Sequence, residues 1–502
     1  MRRTLSRRSF LTPLSPSSTV ASSAMPPVSA ELHLLNRATF GPTPALLAEI
    51  EAMGIEAWVD QQLEPDEIED GACETLVNHV LLAPTGTYAA DMRMLVRAMH
   101  SRRQLAWRVT YFLNNHFATY RGKTQPVSEC TEDDTFRKLC FATFRETLRA
   151  SAQSPAMIDF LDSQTNLATS PNENYAREVM ELHTIGVGNF TEPDVVAISR
   201  VFTGWSRINV VRNSVTESSY FSFRSTVHDS GPKTTSLGWS TPGFTGANGV
   251  NEGISFLNFL ADHRLTATLF VTKLCQFFVA DQPPAGLLGR AIAAFTKTGG
   301  NLKQTVRAIL LDPEFGLGAK AKVMDGFEFV ASAARRLRLA PRLQRFRNPA
   351  SSTGFTDYNG YSSLATYVGN LRARPHENMV PTGYGEVAED WQGPANELSR
   401  WDFAYNLTHN SISSVNQLAG QSTTWEVTFF VNPPTDPLSC VQVLLDHVLD
   451  GHVPLSTDLA LQSFMSTRWQ SSWGAKPTWT NVQSSLRDLA GIVLRLPEAQ
   501  LH

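Results

Sequence analysis

A segment in the first half of the chain carries the densest set of side chains suited to chemistry. Residues 171–186 read Pro-Asn-Glu-Asn-Tyr-Ala-Arg-Glu-Val-Met-Glu-Leu-His-Thr-Ile-Gly. On a helix with about 100° per residue, five polar side chains of this segment share an arc of about 140°. They are Glu173, Asn174, Arg177, Glu178 and Glu181. The segment therefore predicts a helix with one strongly polar face.

This polar face has three interpretations. Its i,i+4 spacing of Glu173, Arg177 and Glu181 is typical of a solvated surface tied by weak ion pairs. Alternatively, the face lines a cleft, where Glu178 and Glu181 bind a cation or act as acid and base while Arg177 balances charge. Asn174 belongs to the same candidate catalytic set. In the third interpretation Arg177 is buried between carboxylates and has a structural role. Spacing alone favours the solvated surface.

His116 is the candidate ligand from a second predicted helix. It shares a face with apolar residues, so it should point inward, where a lone histidine is more often a hydrogen-bonded core residue than a ligand. If this helix packs against the polar one, His116 and Glu178 form the mixed imidazole and carboxylate set that divalent metals accept. His183 points nearly opposite Glu181 and joins the same ion only if its helix ends before it.

A third candidate site lies at residues 228–234, where His228 and Asp229 are adjacent and Lys233 follows. A His-Asp pair occurs in metal hydrolases, but Asp followed by Gly and Pro is equally typical of a turn. The sequence has no phosphate-binding loop, dinucleotide fingerprint, nucleophile elbow or His-Glu-x-x-His. Several common enzyme classes therefore lose support.

The composition is that of an ordinary globular protein. The chain has 502 residues, 42% hydrophobic and 18% charged, with a formal net charge of -4. This balance gives no support to a nucleic-acid partner or an anionic membrane surface. No apolar run reaches the ~20 residues that a transmembrane helix needs, so the mature chain should contain no transmembrane span.

Helical periodicity surrounds all of these candidates and predicts a mainly α, multi-helical fold. We expect one large helical domain over residues 31–502. Residues 207–249 change to Thr, Ser, Gly and aromatic residues, which predicts an irregular central insertion with a little β-strand. Residues 345–391 are rich in Gly, Asn, Ser and Pro and predict a long aromatic-rich loop.

The amino terminus, residues 1–30, has the composition of an export signal. It contains no Asp or Glu, and residues 6–11 read Ser-Arg-Arg-Ser-Phe-Leu, which matches a twin-arginine signal. A periplasmic or extracellular location follows. A mitochondrial transit peptide is the alternative, since such peptides are also rich in Arg and Ser and poor in acids.

Several segments together resemble a bacterial family of unknown function, number 1800 in the domain-of-unknown-function series. The resemblance runs through residues 33–41, 115–117, 171–188, 202–205, 228–238 and 273–279 and ends near 381–384 and 391. It implies an exported, mainly helical protein, and a possible partner in a co-exported protein of the alkaline phosphatase and sulfatase superfamily. Where family members have Trp-His-Asn-His-Phe, this chain has Asn114 in place of the first histidine, so any site that needs both histidines is in doubt.

These observations favour an extracytoplasmic, metal-assisted hydrolase. The resemblance raises the polar helix face from a surface feature to a site, with Glu178 and Glu181 as ligands of a divalent metal or as acid and base. His116 then acts as ligand or proton carrier, and Arg177 as a group that balances charge. The competing class is a non-catalytic binding or assembly protein, which presents the loop at 345–391 to a partner or to a cell-surface polymer.

Overall fold

The computed structural model describes residues 28–80, 89–212, 215–318, 322–339, 343–347, 355–412, 425, 429–430, 432–472 and 478–502. Residues 1–27, which make up most of the predicted export signal, lie outside the described part of the chain. The fold is mainly α, as predicted.

The helices follow one another along the chain, with the longest connection at the central insertion between α11 and α12. The first half contains α1 (Ala30–Ala38), α2 (Pro44–Met53), α3 (Ile55–Gln62), α4 (Gly71–Val80), α5 (Ala89–His100), α6 (Gln104–His116), α7 (Pro126–Leu139), α8 (Phe144–Ala152), α9 (Pro155–Phe160), α10 (Asn174–Glu181) and α11 (Glu192–Val201). The second half contains α12 (Val250–Ala261), α13 (Arg264–Phe278), α14 (Ala285–Lys297), α15 (Leu302–Leu310), α16 (Gly326–Arg336), α17 (Gly360–Asn370), α18 (Ala388–Trp391), α19 (Pro394–Thr408), α20 (Pro437–Val448), α21 (Leu455–Ser472) and α22 (Trp479–Arg495).

Local hydrogen bonds decide where these helices begin. Helix α8 starts with a capping box, in which the Glu146 carboxylate accepts from the Thr143 backbone N–H at 2.8 Å and Thr143 Oγ1 accepts from Glu146 N–H at 3.3 Å. Such reciprocal bonds satisfy amide donors that the first helical turn leaves free. Between α5 and α6, Asp70 accepts hydrogen bonds from Ser101 Oγ and the Arg102 N–H, which fixes the chain where α5 ends.

The central insertion contains the predicted small amount of β-structure. Strands β1 (Trp205–Arg212) and β2 (Val215–Phe223) form an antiparallel pair, and β3 (Lys233–Thr234) pairs with β4 (Ser240–Thr241). Trp205 at the start of β1 is 1% exposed and packs against Phe202 and Phe221. Aromatic packing thus fastens the insertion to the helical body.

The segment 345–391 is not the continuous loop that its composition predicts. Strands β5 (Leu343–Arg347) and β6 (Phe355–Asn359) pair antiparallel, and helix α17 follows directly. Residues 348–354 lie outside the described part. Helix α17 buries Tyr361, Leu364, Ala365 and Val368. This i, i+3, i+4, i+7 spacing is that of an amphipathic helix, and the surrounding Gly, Ser and Asn residues concealed it.

One connected cluster of buried apolar side chains extends from Leu34 to Ala499 and joins the helices of both halves. All five cysteines, Cys73, Cys130, Cys140, Cys275 and Cys440, are buried free thiols. In the described part of the chain, no helix has both the length and the apolar character that crossing a bilayer requires.

Candidate metal centre

The end of helix α6 directs three consecutive polar side chains to three different places. Asn114 Nδ2 donates to Asp133 on α7 at 3.3 Å. Asn115 Nδ2 donates to the Tyr384 carbonyl and to the Glu386 carboxylate, both at 2.9 Å. The ring of His116 contacts the His183 carbonyl through Nε2 at 3.2 Å. The last turn of α6 therefore borders every part of the candidate site.

Beside this turn, two carboxylates and an imidazole meet in the interior. Glu129 and Glu132 project from α7, and His376 comes from the connection after α17. One ligand atom from each of the three lies within 4.8 Å of the others. All three side chains are buried, and in the described part of the chain this is the one such set of three or more His, Cys, Asp or Glu groups.

The hydroxyl of Thr119 lies at the centre of the set. Its Oγ1 is 2.8 Å from Glu129 Oε2, 3.0 Å from Glu132 Oε2 and 3.4 Å from His376 Nδ1. His376 Nδ1 is 2.7 Å from Glu129 Oε2. Glu132 Oε1 and His376 Nε2 are buried and have no hydrogen-bond partner among the described residues. The set therefore keeps unused ligand capacity.

Burial and mutual repulsion set the charges of these groups. Burial, and then the Glu129 carboxylate, raise the pKa of Glu132 to about 8, so Glu132 is mainly protonated at neutral pH. Burial acts against the charged form of Glu129, but neighbouring His376 outweighs it and lowers the pKa of that carboxyl. Burial would lower the pKa of His376, yet Glu129 raises it to about 9. Glu129 and His376 thus form a buried ion pair beside a neutral carboxylic acid.

A small cavity of about 20 Å³ adjoins this set, with Thr119, His376, Asn114, Asn115 and Tyr384 in its wall. A cavity of roughly 10–15 Å³ or more can hold one water molecule when polar partners are present. The arrangement thus offers two carboxylates, an imidazole, a hydroxyl and space for one water. Carboxylate and imidazole are ligands that divalent Mn, Fe and Zn accept.

The polar face of α10 lies elsewhere and is partly solvated. Arg177 is one-third exposed and pairs with Glu192 at 2.8 Å and with Glu173 at 3.3 Å. This is the ion-paired surface that its spacing favours, and the interpretation with a buried Arg177 is wrong. Glu178 is half-buried, and burial, followed by the charge of Glu181, raises its pKa.

His116 does not join Glu178 and Glu181 in a three-group ligand set in the described part of the chain. Asn174, on the same helix, is exposed. A catalytic role for the polar face of α10 stays a prediction.

His116 and His183 lie in an aromatic part of the core. The His116 ring is 5.0 Å from Phe270 and 6.0 Å from His183, measured between centroids. Burial lowers the pKa of His183 to about 3 and that of His116 well below its ordinary value. Both rings are therefore neutral. Because a carbonyl only accepts, His116 Nε2 carries the proton and donates it to the His183 carbonyl, which is the core role that the sequence favours for a lone histidine.

Residues 228–233 form a buried network that joins the insertion to α11 and α12. Lys233 Nζ pairs with Glu252 at 2.5 Å, and neither side chain is exposed. Asp229 receives two hydrogen bonds from Arg200, at 2.7 and 3.1 Å. His228 Nδ1 is 2.9 Å from the Thr203 carbonyl. The charged groups Arg200, Asp229, Lys233 and Glu252 are thus paired with one another, which is typical of a structural network.

Sequence reasoning did not identify Glu129, Glu132 or His376. A signal was present, because Glu129, Glu132, Asp133 and Phe136 recur at i, i+3, i+4 and i+7 and share one face of α7. Carboxylates that share a helix face with phenylalanine point toward the interior, where unpaired charge is costly. His376, by contrast, lies in a stretch that reads as loop and carries no periodic signal.

Comparison with known proteins gives one result. A family model described as "Protein of unknown function (DUF1800)" matches residues 33–501. Neither the curated proteins nor the solved structures include a significant match to this chain.

Proposed function

We propose that this chain, which belongs to the protein family of unknown function DUF1800, is an exported metal-dependent hydrolase whose divalent cation is held by Glu129, Glu132 and His376. One observation carries the proposal: three buried ligand groups, two from α7 and one from a distant connection, meet around Thr119 with two polar atoms unused. Most buried polar atoms in folded proteins have hydrogen-bond partners, and a bound ion would supply the partner that these two atoms lack.

The spacing of the ligand atoms supports a cation. Ligands about 2.1 Å from a divalent ion and at right angles to one another are about 3 Å apart. Glu129 Oε2 and His376 Nδ1 are 2.7 Å apart, and one ligand atom from each of Glu129, Glu132 and His376 lies within 4.8 Å of the others. Modest side-chain movement would therefore let the three groups face one ion.

The charges support it as well. Without a cation, one of two adjacent carboxyl groups must take a proton, and Glu132 does so. A divalent ion replaces the protons of Glu132 and His376 and makes both carboxylates ionic, which removes their repulsion. A cation held by these residues would supply a water of lowered pKa for attack on an ester, amide or phosphate. The adjoining cavity of about 20 Å³ is where these residues leave space for that water.

Export and partnership belong to the same proposal. The twin-arginine pattern at residues 6–11 supports transport of the folded chain to the periplasm or the exterior. There, a co-exported protein of the alkaline phosphatase and sulfatase superfamily is the proposed partner. The polar face of α10, with half-buried Glu178 beside Glu181, is kept as a second acid–base candidate.

The test is elemental analysis of the full chain, purified without chelators and then incubated with Mn²⁺, Fe²⁺ or Zn²⁺. Wild type should hold about one metal ion per chain, as a site with three protein ligands does. Glu132→Gln imitates the neutral form that Glu132 already adopts, so it should fold normally and lose the metal. Glu178→Gln is the matched control and should keep it.

Three results contradict the assignment. In the first, the wild type holds no metal after any of the three incubations. In the second, Glu132→Gln holds as much metal as the wild type. In the third, only Glu178→Gln loses the metal, which would move the site to α10. Hydrolysis of p-nitrophenyl acetate and p-nitrophenyl phosphate by the loaded wild type, and not by Glu132→Gln, tests the hydrolytic part separately.

A further inference from the structure

A larger cavity lies on the other side of Asn115. It has a volume of about 360 Å³, within the range of roughly 300–1,000 Å³ usual for small-molecule sites. Helices α6 and α13 form one wall, with Phe112, His116 and Lys273, and the chain segment 382–387 forms the other. We call this segment the strap. The cavity is thus open to a small molecule but enclosed on two sides.

The strap is fixed in place by backbone contacts. Tyr384 N–H donates to Asn115 Oδ1 at 2.7 Å, and Asn115 Nδ2 donates back to the Tyr384 carbonyl. Gly383 has a φ of +71°, and a Cβ there would lie 2.2 Å from the Asn115 carbonyl oxygen. Trp391 Nε1 donates to the Gly385 carbonyl at 3.0 Å. The wall of the cavity is therefore preformed, which lowers the entropic cost of binding.

Lys273 is the cation of this cavity. It is half-buried on α13, and no carboxylate among the described residues lies within ion-pair distance of its ammonium group, although the charge of Glu386 raises its pKa against the larger lowering by burial. The two acidic groups of the cavity already have donors: Glu386 accepts from Asn115, and Asp390 from the Val387 backbone N–H at 3.3 Å. Burial raises the pKa of Glu386, and the charge of nearby Lys322 offsets only part of this effect.

We propose that this cavity binds a small organic anion, a carboxylate or phosphate ester, whose oxyanion pairs with Lys273. A partly buried ammonium group that makes no direct ion pair favours an anionic ligand, because low-dielectric walls strengthen the attraction. The volume exceeds that of a bare ion, so the ligand carries an organic part that packs beside Phe112.

This site also bears on the proposed hydrolase. Asn115 and Tyr384 line both this cavity and the small one beside His376. An anion on Lys273 is thus separated from Glu129, Glu132 and His376 by these two residues. The inference that the hydrolase acts on anionic substrates rests on the proposed function, whereas the binding of the anion by Lys273 does not.

Calorimetric titration of the full chain tests the proposal, with inorganic phosphate, phenyl phosphate and succinate as probes. The chain is measured both after chelator treatment and after metal loading. At least one organic probe should bind the chelator-treated chain. Comparison of the Kd values of phenyl phosphate and succinate then shows whether the site prefers a phosphate ester or a carboxylate. In Lys273→Met the Kd should rise about tenfold or more, the usual effect of losing a hydrogen bond to a charged group.

Lys297→Met, on the exposed end of α14, removes the same charge and should leave the Kd unchanged. Lys273→Arg should retain binding. Lys273→Met should fold, since it removes a charge that burial disfavours. Absence of binding by all three probes overturns the proposal, as does equal binding by wild type and Lys273→Met. The two proposals can also fail separately. If an anion probe binds the chelator-treated chain, while wild type and Glu132→Gln both hold no metal, the anion site is supported and only the metal centre is rejected.

Discussion

Acidification should destabilise the fold through His183, and His183→Leu should remove this effect. The His183 side chain is 0% exposed, and neither ring nitrogen has a hydrogen-bond partner among the described residues. Burial, and next the charge of Lys273, lower its pKa from 6.5 to about 3. Between these two pH values the unfolded chain binds a proton that the folded chain does not, so stability falls as the pH falls.

The size of the effect follows from the two pKa values. Between pH 7.5 and pH 5, protonation of an unfolded histidine with a pKa near 6.5 costs the folded state about 2 kcal/mol. Leucine has a similar volume and does not titrate. Since the ring nitrogens of His183 make no hydrogen bonds, the substitution should change the free energy of unfolding at pH 7.5 by about 1 kcal/mol or less.

Urea unfolding of both proteins at several pH values between 5 and 7.5 measures the difference. Buried acids such as Glu132 and Asp91, with pKa values raised to about 8 and 7 mainly by burial, take up protons in the folded state and act in the opposite direction. They are present in both proteins and cancel in the comparison. At pH 5 the variant should have gained about 2 kcal/mol relative to wild type. Parallel curves for the two proteins would refute the reasoning.

Two further substitutions test the fold and the strap. Lys233→Met leaves Glu252 buried without its partner and should cost about 3–5 kcal/mol in urea unfolding at pH 7.5, whereas Arg177→Met, at a solvated ion pair, should cost about 1 kcal/mol or less. Equal costs would contradict the assignment of the first pair as a buried tie. Gly383→Ala should displace the strap, lower the Tm and weaken anion binding, while Gly289→Ala, within exposed α14 and free of contacts, should leave binding unchanged and raise the Tm slightly. Unaltered anion binding in Gly383→Ala would show that the strap does not shape the cavity.

The helical fold was predictable because its information is local. Apolar residues at helical spacing mark the buried faces, and changes of composition mark the insertion at 207–249. Helix α17 was missed because propensity and burial disagree there: Gly360, Ser362 and Ser363 favour a loop, while the buried face from Tyr361 to Val368 determines the structure. Local preference is a weak guide where packing opposes it.

The candidate site was not predictable, because its members are brought together by tertiary structure. Glu129 and Glu132 are one turn apart on α7, but His376 enters from a distant connection whose sequence has no periodicity. Charged residues are rarely buried, so a charge-rich helix face is ordinarily assigned to solvent. That rule describes Arg177 correctly and fails for Glu129, where a histidine from elsewhere supplies the counter-charge.

The departure at Asn114 bears differently on the two candidate sites. Asn114 Nδ2 donates to Asp133, which also pairs with Arg97 at 3.2 Å, and Asn114 Oδ1 is buried without a partner among the described residues. An imidazole in this place would lie next to Asp133 and could pair with it. The replacement therefore changes a neighbour of Glu132 but none of the three groups in the set. A site that needs histidines at both 114 and 116 would involve His116, so the doubt concerns that candidate. The set formed by Glu129, Glu132 and His376 uses neither position.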